Sequence, residues 1–217
     1  MPKPERSPAL QPAPVATSAQ PLPFFERPPS APESPARPST ARIVLGFLTN
    51  PGATVQRRAA EASMPVVLAV SGSAFALFFL QAGLDRMRVG NADALSIVAL
   101  VLIGILFGTI GVAAVALIAW LALKILRSDA SPGAVVRVCA LSYSSTLVYV
   151  TLGLVANLLL GWRTAVAFGV TGVLWSLGPL SSSLRGMARG RLGVSLVLAT
   201  LCGLVVLAGW AWLGGLL

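Results

Sequence analysis

The sequence predicts an all-α, polytopic membrane protein, a five-helix transmembrane bundle preceded by a disordered, Pro-rich N-terminal tail. Five uncharged blocks, of 23, 30, 25, 21 and 26 residues, carry this prediction. A helix needs roughly 20 apolar residues to cross the hydrocarbon core of a bilayer, so each block is long enough. The composition agrees, because 56% of the residues are hydrophobic and 11% are charged. That is too few charges for an ordinary water-facing surface.

The blocks favour helices over a membrane β-barrel because they are continuously apolar. A barrel would alternate polar and apolar residues over segments of about 10 residues, whereas 98–106 is apolar throughout. The second block would make a helix roughly 45 Å long, so it should tilt strongly or project from the bilayer. Within a membrane domain of residues 64–217, we predict spans at 64–84, 95–126, 138–160, 164–184 and 192–213.

Residues 1–41 form the predicted tail, and 12 of the 16 prolines lie within 1–40. Four of them, Pro29, Pro32, Pro35 and Pro38, recur every third residue, which matches the turn of a polyproline II helix. We favour a disordered tether, and a ligand for an aromatic-lined groove is the alternative. The first 20 residues contain no apolar run, so we expect no cleavable signal peptide.

A juxtamembrane region follows at 42–63. It begins with a short apolar patch at 43–48. Asn50 then has the chemistry of a helix cap, and Pro51 suits the first helical position. The pair Arg57 and Arg58 suggests an interfacial helix with its cations near anionic lipid headgroups. A solvated juxtamembrane helix is the alternative.

The basic residues predict an orientation with the N-terminus in the cytoplasm and the C-terminus outside. Short cytoplasmic loops carry an excess of Lys and Arg. Eight basic residues flank the predicted inner ends of the spans and three flank the outer ends. Arginine outnumbers lysine 14 to 2, a composition that we associate with a GC-rich bacterial genome and hence a bacterial inner membrane. The inner group is Arg57, Arg58, Lys124, Arg127, Arg137, Arg185, Arg189 and Arg191; the outer group is Arg86, Arg88 and Arg163. Trp162, Trp210 and Trp212 should then lie at the outer interface.

The third span is the most polar. Five of its side chains fall within about a third of the helix circumference at roughly 100° per residue. Such an intramembrane polar face can hydrogen-bond neighbouring helices, which we favour, or line a path for a small solute. Its residues are Ser142, Ser145, Thr146, Tyr149 and Asn157.

Glycines predict where helices approach each other closely. Gly104 and Gly108 form the small-xxx-small motif of membrane helix contacts. Whether this face meets another span or another copy of the protein stays open. The full set of predicted packing glycines is Gly104, Gly108, Gly111, Gly153, Gly169 and Gly172.

No Asp or Glu lies within any predicted span, and the chain contains no histidine. Coupled carriers place ionisable groups near the midplane, and serine hydrolases need a base beside the nucleophile. Asp85, Asp93 and Asp129 are assigned to loops, too scattered for a metal site. The formal charge of +9 forms no basic stripe, so nucleic acid is not expected as a partner. We expect no catalytic site, no metal and no cofactor.

With this organisation, residues 45–213 resemble the Yip (Ypt-interacting protein) domain family, in particular its bacterial members. Three segments carry the resemblance together with the five spans and the long Gly-bearing second span. They are Leu48-Thr49-Asn50-Pro51, the turn Ser131-Pro132-Gly133-Ala134 followed by Val135-Val136-Arg137-Val138, and Val173-Leu174-Trp175-Ser176-Leu177.

The resemblance implies a cytoplasmic N-terminus and a compact five-helix membrane domain. Eukaryotic relatives associate with prenylated Rab-type GTPases. Tyr143-Ser144-Ser145 stands where the family often has a proline, so the resemblance gives no basis for a broken helix there. We expect a non-enzymatic scaffold or adaptor that contacts the lipid bilayer and protein partners, or itself, through its helix faces. A small-solute channel or facilitator that uses the polar face is the alternative.

Overall fold

The computed structural model describes residues 50–215, which contain helices and short connections but no strand. Five helical segments in this part of the chain are long and apolar enough to cross a membrane. The prediction of an all-α, five-span bundle is therefore confirmed, and the protein is an integral, multi-pass membrane protein. The predicted tail at 1–41, the apolar patch at 43–48 and the last two residues lie outside the described part.

The helices follow the predicted order. The short helix α1 precedes the spans, and the third span consists of two helices, α4 and α5. A π-helical stretch lies inside α3 at Phe107–Gly111 and another opens α6 at Ala165–Val170. The bounds are α1, Pro51–Glu61; α2, Met64–Arg88; α3, Ala94–Ile125; α4, Pro132–Ser142; α5, Ser144–Leu160; α6, Ala165–Met187; and α7, Leu192–Gly215.

Capping side chains start three of the helices. The Asn50 side chain accepts a hydrogen bond from the Ala53 N–H at 3.3 Å, with Pro51 in the first turn, which is the start that the sequence predicts. Asp93 caps α3 by accepting from the N–H of Ser96 at 2.8 Å and from its hydroxyl at 2.6 Å. The hydroxyl and then the N–H of Ser96 hold the pKa of Asp93 below its usual value. Ser131 caps α4.

Helix α1 packs against protein rather than only against the membrane surface. Val55 and Ala59 are buried in the hydrophobic core, and α1 contacts both α4 and α6. The Gln56 amide donates to the Ser182 carbonyl oxygen of α6 at 3.1 Å. Arg57 is exposed, and Arg58 pairs with Glu61 at 3.3 Å within α1. The predicted interfacial helix is thus a part of the bundle, with arginines on its outer side.

The glycines of α3 meet α2 of the same chain. A Cβ on Gly104 would lie 2.6 Å from the carbonyl oxygen of Phe75, and one on Gly108 would lie 2.5 Å from that of Ser71. The Ser71 hydroxyl donates to the Gly108 carbonyl oxygen at 2.6 Å. The question that the sequence left open is answered for these two glycines, because they form an intramolecular contact. Gly111 differs, since the atoms nearest to its Cβ would be those of the Phe107 ring of its own helix, at 3.2–3.6 Å.

Glycines also bring α6 close to its neighbours. A Cβ on Gly153 would lie 2.6 Å from the Cβ of Phe168, and one on Gly172 would lie 3.1 Å from the Cα of Thr146. Gly169 faces the ring of Phe78, which occupies the space that a side chain would need. The fourth span therefore packs tightly on α2 and α5.

The third span begins earlier than predicted and is divided at Tyr143. Tyr143 has φ −75° and ψ 2°, so the helical hydrogen-bond pattern stops there and resumes at Ser144. The hydroxyls of Ser142 and Ser145 donate to the carbonyl oxygens of Val138 and Ser142. Serine hydroxyls that bond the preceding turn are known to bend helices. The interruption occurs although the chain lacks the proline that the family often has at this point.

Aromatic rings fill the centre of the bundle beside this interruption. The Phe75 ring lies 5.2 Å from Tyr143 and 5.3 Å from Phe107, both edge-on, an arrangement that aromatic pairs favour. Phe78 stacks on Trp210 at 4.8 Å. Trp210, which we expect at the outer interface, is partly buried against the core.

We predict that Gly104→Ala and Gly108→Ala each destabilise the folded protein by about 1–3 kcal/mol, because the added methyl group collides with α2 backbone atoms that cannot move independently. Thermal unfolding in detergent measures the effect. Gly186→Ala is the matched control, since a Cβ there meets no heavy atom within 4 Å. Equal unfolding temperatures for the three variants would contradict the proposed packing.

Candidate functional site

Asp85 is a buried carboxylate near the C-terminal end of α2. Its side chain accepts from the Asn157 amide at 2.7 Å and from the Ala165 N–H at 2.9 Å. The assignment of Asp85 to a loop was wrong, because α2 continues to Arg88. Donors from two other segments replace the water that a carboxylate would otherwise need.

Asn157 connects this carboxylate to a cation. The Arg88 guanidinium donates to the Asn157 carbonyl oxygen at 2.6 Å and to its side-chain oxygen at 3.2 Å. The Asn157 amide also donates to the Trp162 carbonyl oxygen at 3.0 Å. These residues, Asp85, Arg88, Asn157, Trp162 and Ala165, form what we call the Asn157 cluster. It joins α2, the end of α5 and the turn before α6.

Gln81 continues the same polar face of α2 one turn deeper. It is fully buried, and its amide donates to the Val150 carbonyl oxygen of α5. Its own side-chain oxygen has no partner among the described residues. Two successive turns of α2 are thus hydrogen-bonded to α5.

The predicted polar face of the third span packs inside the bundle. Ser142, Ser145, Thr146 and Asn157 are buried, while Tyr149 is half-buried with its ring 5.9 Å from Trp175. The hydroxyls of Ser142 and Ser145 bond their own backbone. Of the five residues, Asn157 is the one that hydrogen-bonds side chains of another helix.

Three hydroxyls next to the interruption at Tyr143 are buried without a hydrogen-bond partner in the described part of the chain. They are the hydroxyls of Tyr143, Ser144 and Thr146. A buried, unsatisfied hydroxyl is unfavourable by about 1–3 kcal/mol. These residues are neighbours in the sequence and make the interruption a second candidate site, which we call the hydroxyl cluster.

Sequence reasoning missed most residues of both sites, although a signal was available. Gln81, Asp85 and Arg88 are spaced i, i+4 and i+7, so they share one face of a helix. Gln81 lies inside the predicted span 64–84, whereas Asp85 and Arg88 follow its predicted end, where charged residues suggest the start of a loop. Tyr143 and Ser144 lay beside the predicted face but were not included in it.

The cysteines and acids suggest no further centre. Cys139 and Cys202 are both free and buried. Between residues 50 and 215, no three His, Cys, Asp or Glu residues lie close enough to hold a metal ion.

Comparisons with known proteins add no relative. No family model, no curated protein and no solved structure matches this chain. The resemblance to the Yip family therefore depends on the residues quoted above.

We predict that Asn157→Ala destabilises the protein by about 2 kcal/mol or more, because it removes one donor from the buried Asp85 carboxylate and one acceptor from Arg88. Asn91→Ala is the control, since Asn91 is exposed in the turn after α2. Denaturant unfolding in detergent measures both changes.

A double-mutant cycle with Asp85→Asn tests the assignment further. Contacting residues show coupling energies of about 0.5–3 kcal/mol. Additive effects of Asp85→Asn and Asn157→Ala would contradict the hydrogen-bonded pair.

Proposed function

We propose that the protein is a non-enzymatic membrane scaffold or adaptor of the Yip-like type, which acts through helix packing and protein association. The Asn157 cluster is the observation that carries the proposal. The buried Asp85 carboxylate and the buried Asn157 amide hydrogen-bond each other inside the bundle, which suits a rigid packing domain better than a reaction site. The helix faces that remain exposed are mainly apolar and suit lipid or a membrane-embedded partner.

The exposed face of α3 is the surface that best suits contact with such a partner. The second span is the least buried of the five, and its outward side chains form an apolar stripe along the whole helix. Among them are Leu95, Val98, Leu102, Ile110, Ile118 and Ile125. A stripe of this kind can pack against a partner helix or against acyl chains.

We also propose that the N-terminus is cytoplasmic and the C-terminus outside, in a bacterial inner membrane. The excess of basic residues at one end of the bundle supports this orientation. The docking of α1 beside Ser182 brings Arg57 and Arg58 to the same end as Arg185.

Cysteine labelling tests the orientation. In a Cys139→Ala, Cys202→Ala background, we expect a membrane-impermeant maleimide to label Asn91→Cys in spheroplasts and to label Asp129→Cys only after permeabilisation. Both positions are exposed, so accessibility differs by membrane side alone. The reverse pattern would contradict the orientation.

Crosslinking in the native membrane tests the scaffold role. We expect photo-crosslinkers at Leu102 and Ile118 to capture a recurring protein partner or a second copy, and deletion of residues 2–41 to weaken at least one association while membrane insertion is kept. A scrambled tail of the same composition is the control for the deletion. Capture of lipid alone at both positions, with an unchanged set of associated proteins, would contradict the role.

The hydroxyl cluster favours a second candidate, a small-solute channel or facilitator. Buried hydroxyls without partners are groups that a passing solute or water could bond. Flux into reconstituted vesicles decides between the two. A channel requires flux that falls in the near-isosteric variants Tyr143→Phe and Thr146→Val but not in Thr151→Val, whose hydroxyl bonds Leu147 on the exposed side of α5.

A further inference from the structure

A pocket of about 430 Å³ lies between the start of α1 and the second half of α6. Its lining is Gly52, Leu174, Trp175, Gly178, Pro179 and Ser182. The volume falls in the range of pockets that hold small molecules, about 300–1,000 Å³. The pocket is separate from the Asn157 cluster and from the hydroxyl cluster.

Two residues of α6 explain why the space is open. A Cβ built on Gly178 meets no heavy atom within 4 Å, so this turn of α6 leaves a gap beside α1. Pro179 has no N–H, and the Trp175 carbonyl oxygen therefore lacks its usual donor four residues later. At the other wall, α1 touches α6 closely, since a Cβ on Gly52 would lie 2.6 Å from the Ser182 hydroxyl oxygen.

The pocket opens toward the bilayer rather than into the bundle. Leu174 and Trp175 are 52% and 53% exposed, and both lie within the fourth span. Water does not reach such side chains at membrane depth, so lipid is the neighbour available to them. The walls are predominantly apolar, which suits a hydrocarbon chain.

Two arginines lie close in sequence to residues at the Ser182 wall of the pocket. Arg57 follows Gln56, whose amide bonds the Ser182 carbonyl oxygen. Arg185 lies three residues after Ser182, on nearly the same face of α6. Both arginines are exposed, and the Arg185 guanidinium donates through Nε to the Gly190 carbonyl oxygen at 3.2 Å. Basic residues beside a gap between membrane helices suit the phosphate of an anionic lipid.

We propose that this pocket binds one anionic phospholipid, with an acyl chain along Leu174, Trp175 and Gly178 and the phosphate toward Arg57 and Arg185. The lipid would fill the gap that Gly178 leaves and hold α1 on α6. The site does not depend on the scaffold role or on the orientation of the bundle.

Photolabelling in phosphatidylcholine nanodiscs tests the site, with a phosphatidylglycerol probe that carries a diazirine on its acyl chain. We expect the label on the α6 peptide around Trp175. Gly178→Leu should reduce this labelling about tenfold, because the new side chain occupies the pocket. Gly193→Leu is the matched control, since Gly193 is also an exposed glycine with no heavy atom within 4 Å of its Cβ. The unfolding temperatures of both variants show whether each is folded. If Gly178→Leu does not fold, Gly178→Ala replaces it in the labelling experiment.

A charge comparison tests the headgroup. The double variant Arg57→Gln, Arg185→Gln should lower labelling by the phosphatidylglycerol probe to the level of a diazirine phosphatidylcholine probe. The variant Arg163→Gln, at the opposite end of the bundle, should not.

Equal labelling of the two leucine variants would overturn the proposal. Equal labelling of the unmodified protein by the two probes would overturn the inference that the bound lipid is anionic. Capture of residues 43–48 or of another protein by a photo-crosslinker at Leu174 would assign the pocket to that occupant instead.

Discussion

The close approach of α3 to α2 is the contact on which the rest of the bundle depends. Gly104 and Gly108 let two backbones touch, and the Ser71 hydroxyl bonds the Gly108 carbonyl oxygen across the contact. In a bilayer, lipid tails are as apolar as leucine, so helices associate through packing and hydrogen bonds rather than through hydrophobic burial. Two helices held this closely place Phe75, Phe78 and Phe107 in the centre, where α5, α6 and α7 can pack on them.

At the other end of α2, the buried polar side chains also depend on hydrogen bonds within the protein. A carboxylate near the hydrocarbon core needs donors from the protein, because water is not available there. Asp85 receives them from Asn157 and Ala165, which belong to segments far away in the sequence. The cluster therefore fixes α5 and the start of α6 on α2 at one level. The glycine contacts and the Asn157 cluster hold opposite sides of the same helix.

The end of the bundle that carries α1 is built differently. Val55 and Ala59 are buried on one side of α1, while Gly178 and Pro179 of α6 line a gap next to the start of α1. An amphipathic helix with basic residues can lie on a membrane, but here its apolar side is covered by α4 and α6. Arg57 remains exposed on α1, while Arg58 pairs with Glu61. This combination favours a lipid as part of the assembly at that end.

The sequence by itself determined the number and order of the spans, the helix start at Asn50 and the glycine positions able to form close contacts. These follow from local properties, namely apolar length, capping chemistry and the absence of a side chain. The helical end of α2 at Arg88, the burial of Asp85 and Gln81 and the interruption at Tyr143 were decided only in the tertiary structure. These features share one physical reason. Whether a polar group is hydrogen-bonded or left unsatisfied depends on residues distant in the chain, and the residue pattern of a single helix contains no information about those residues.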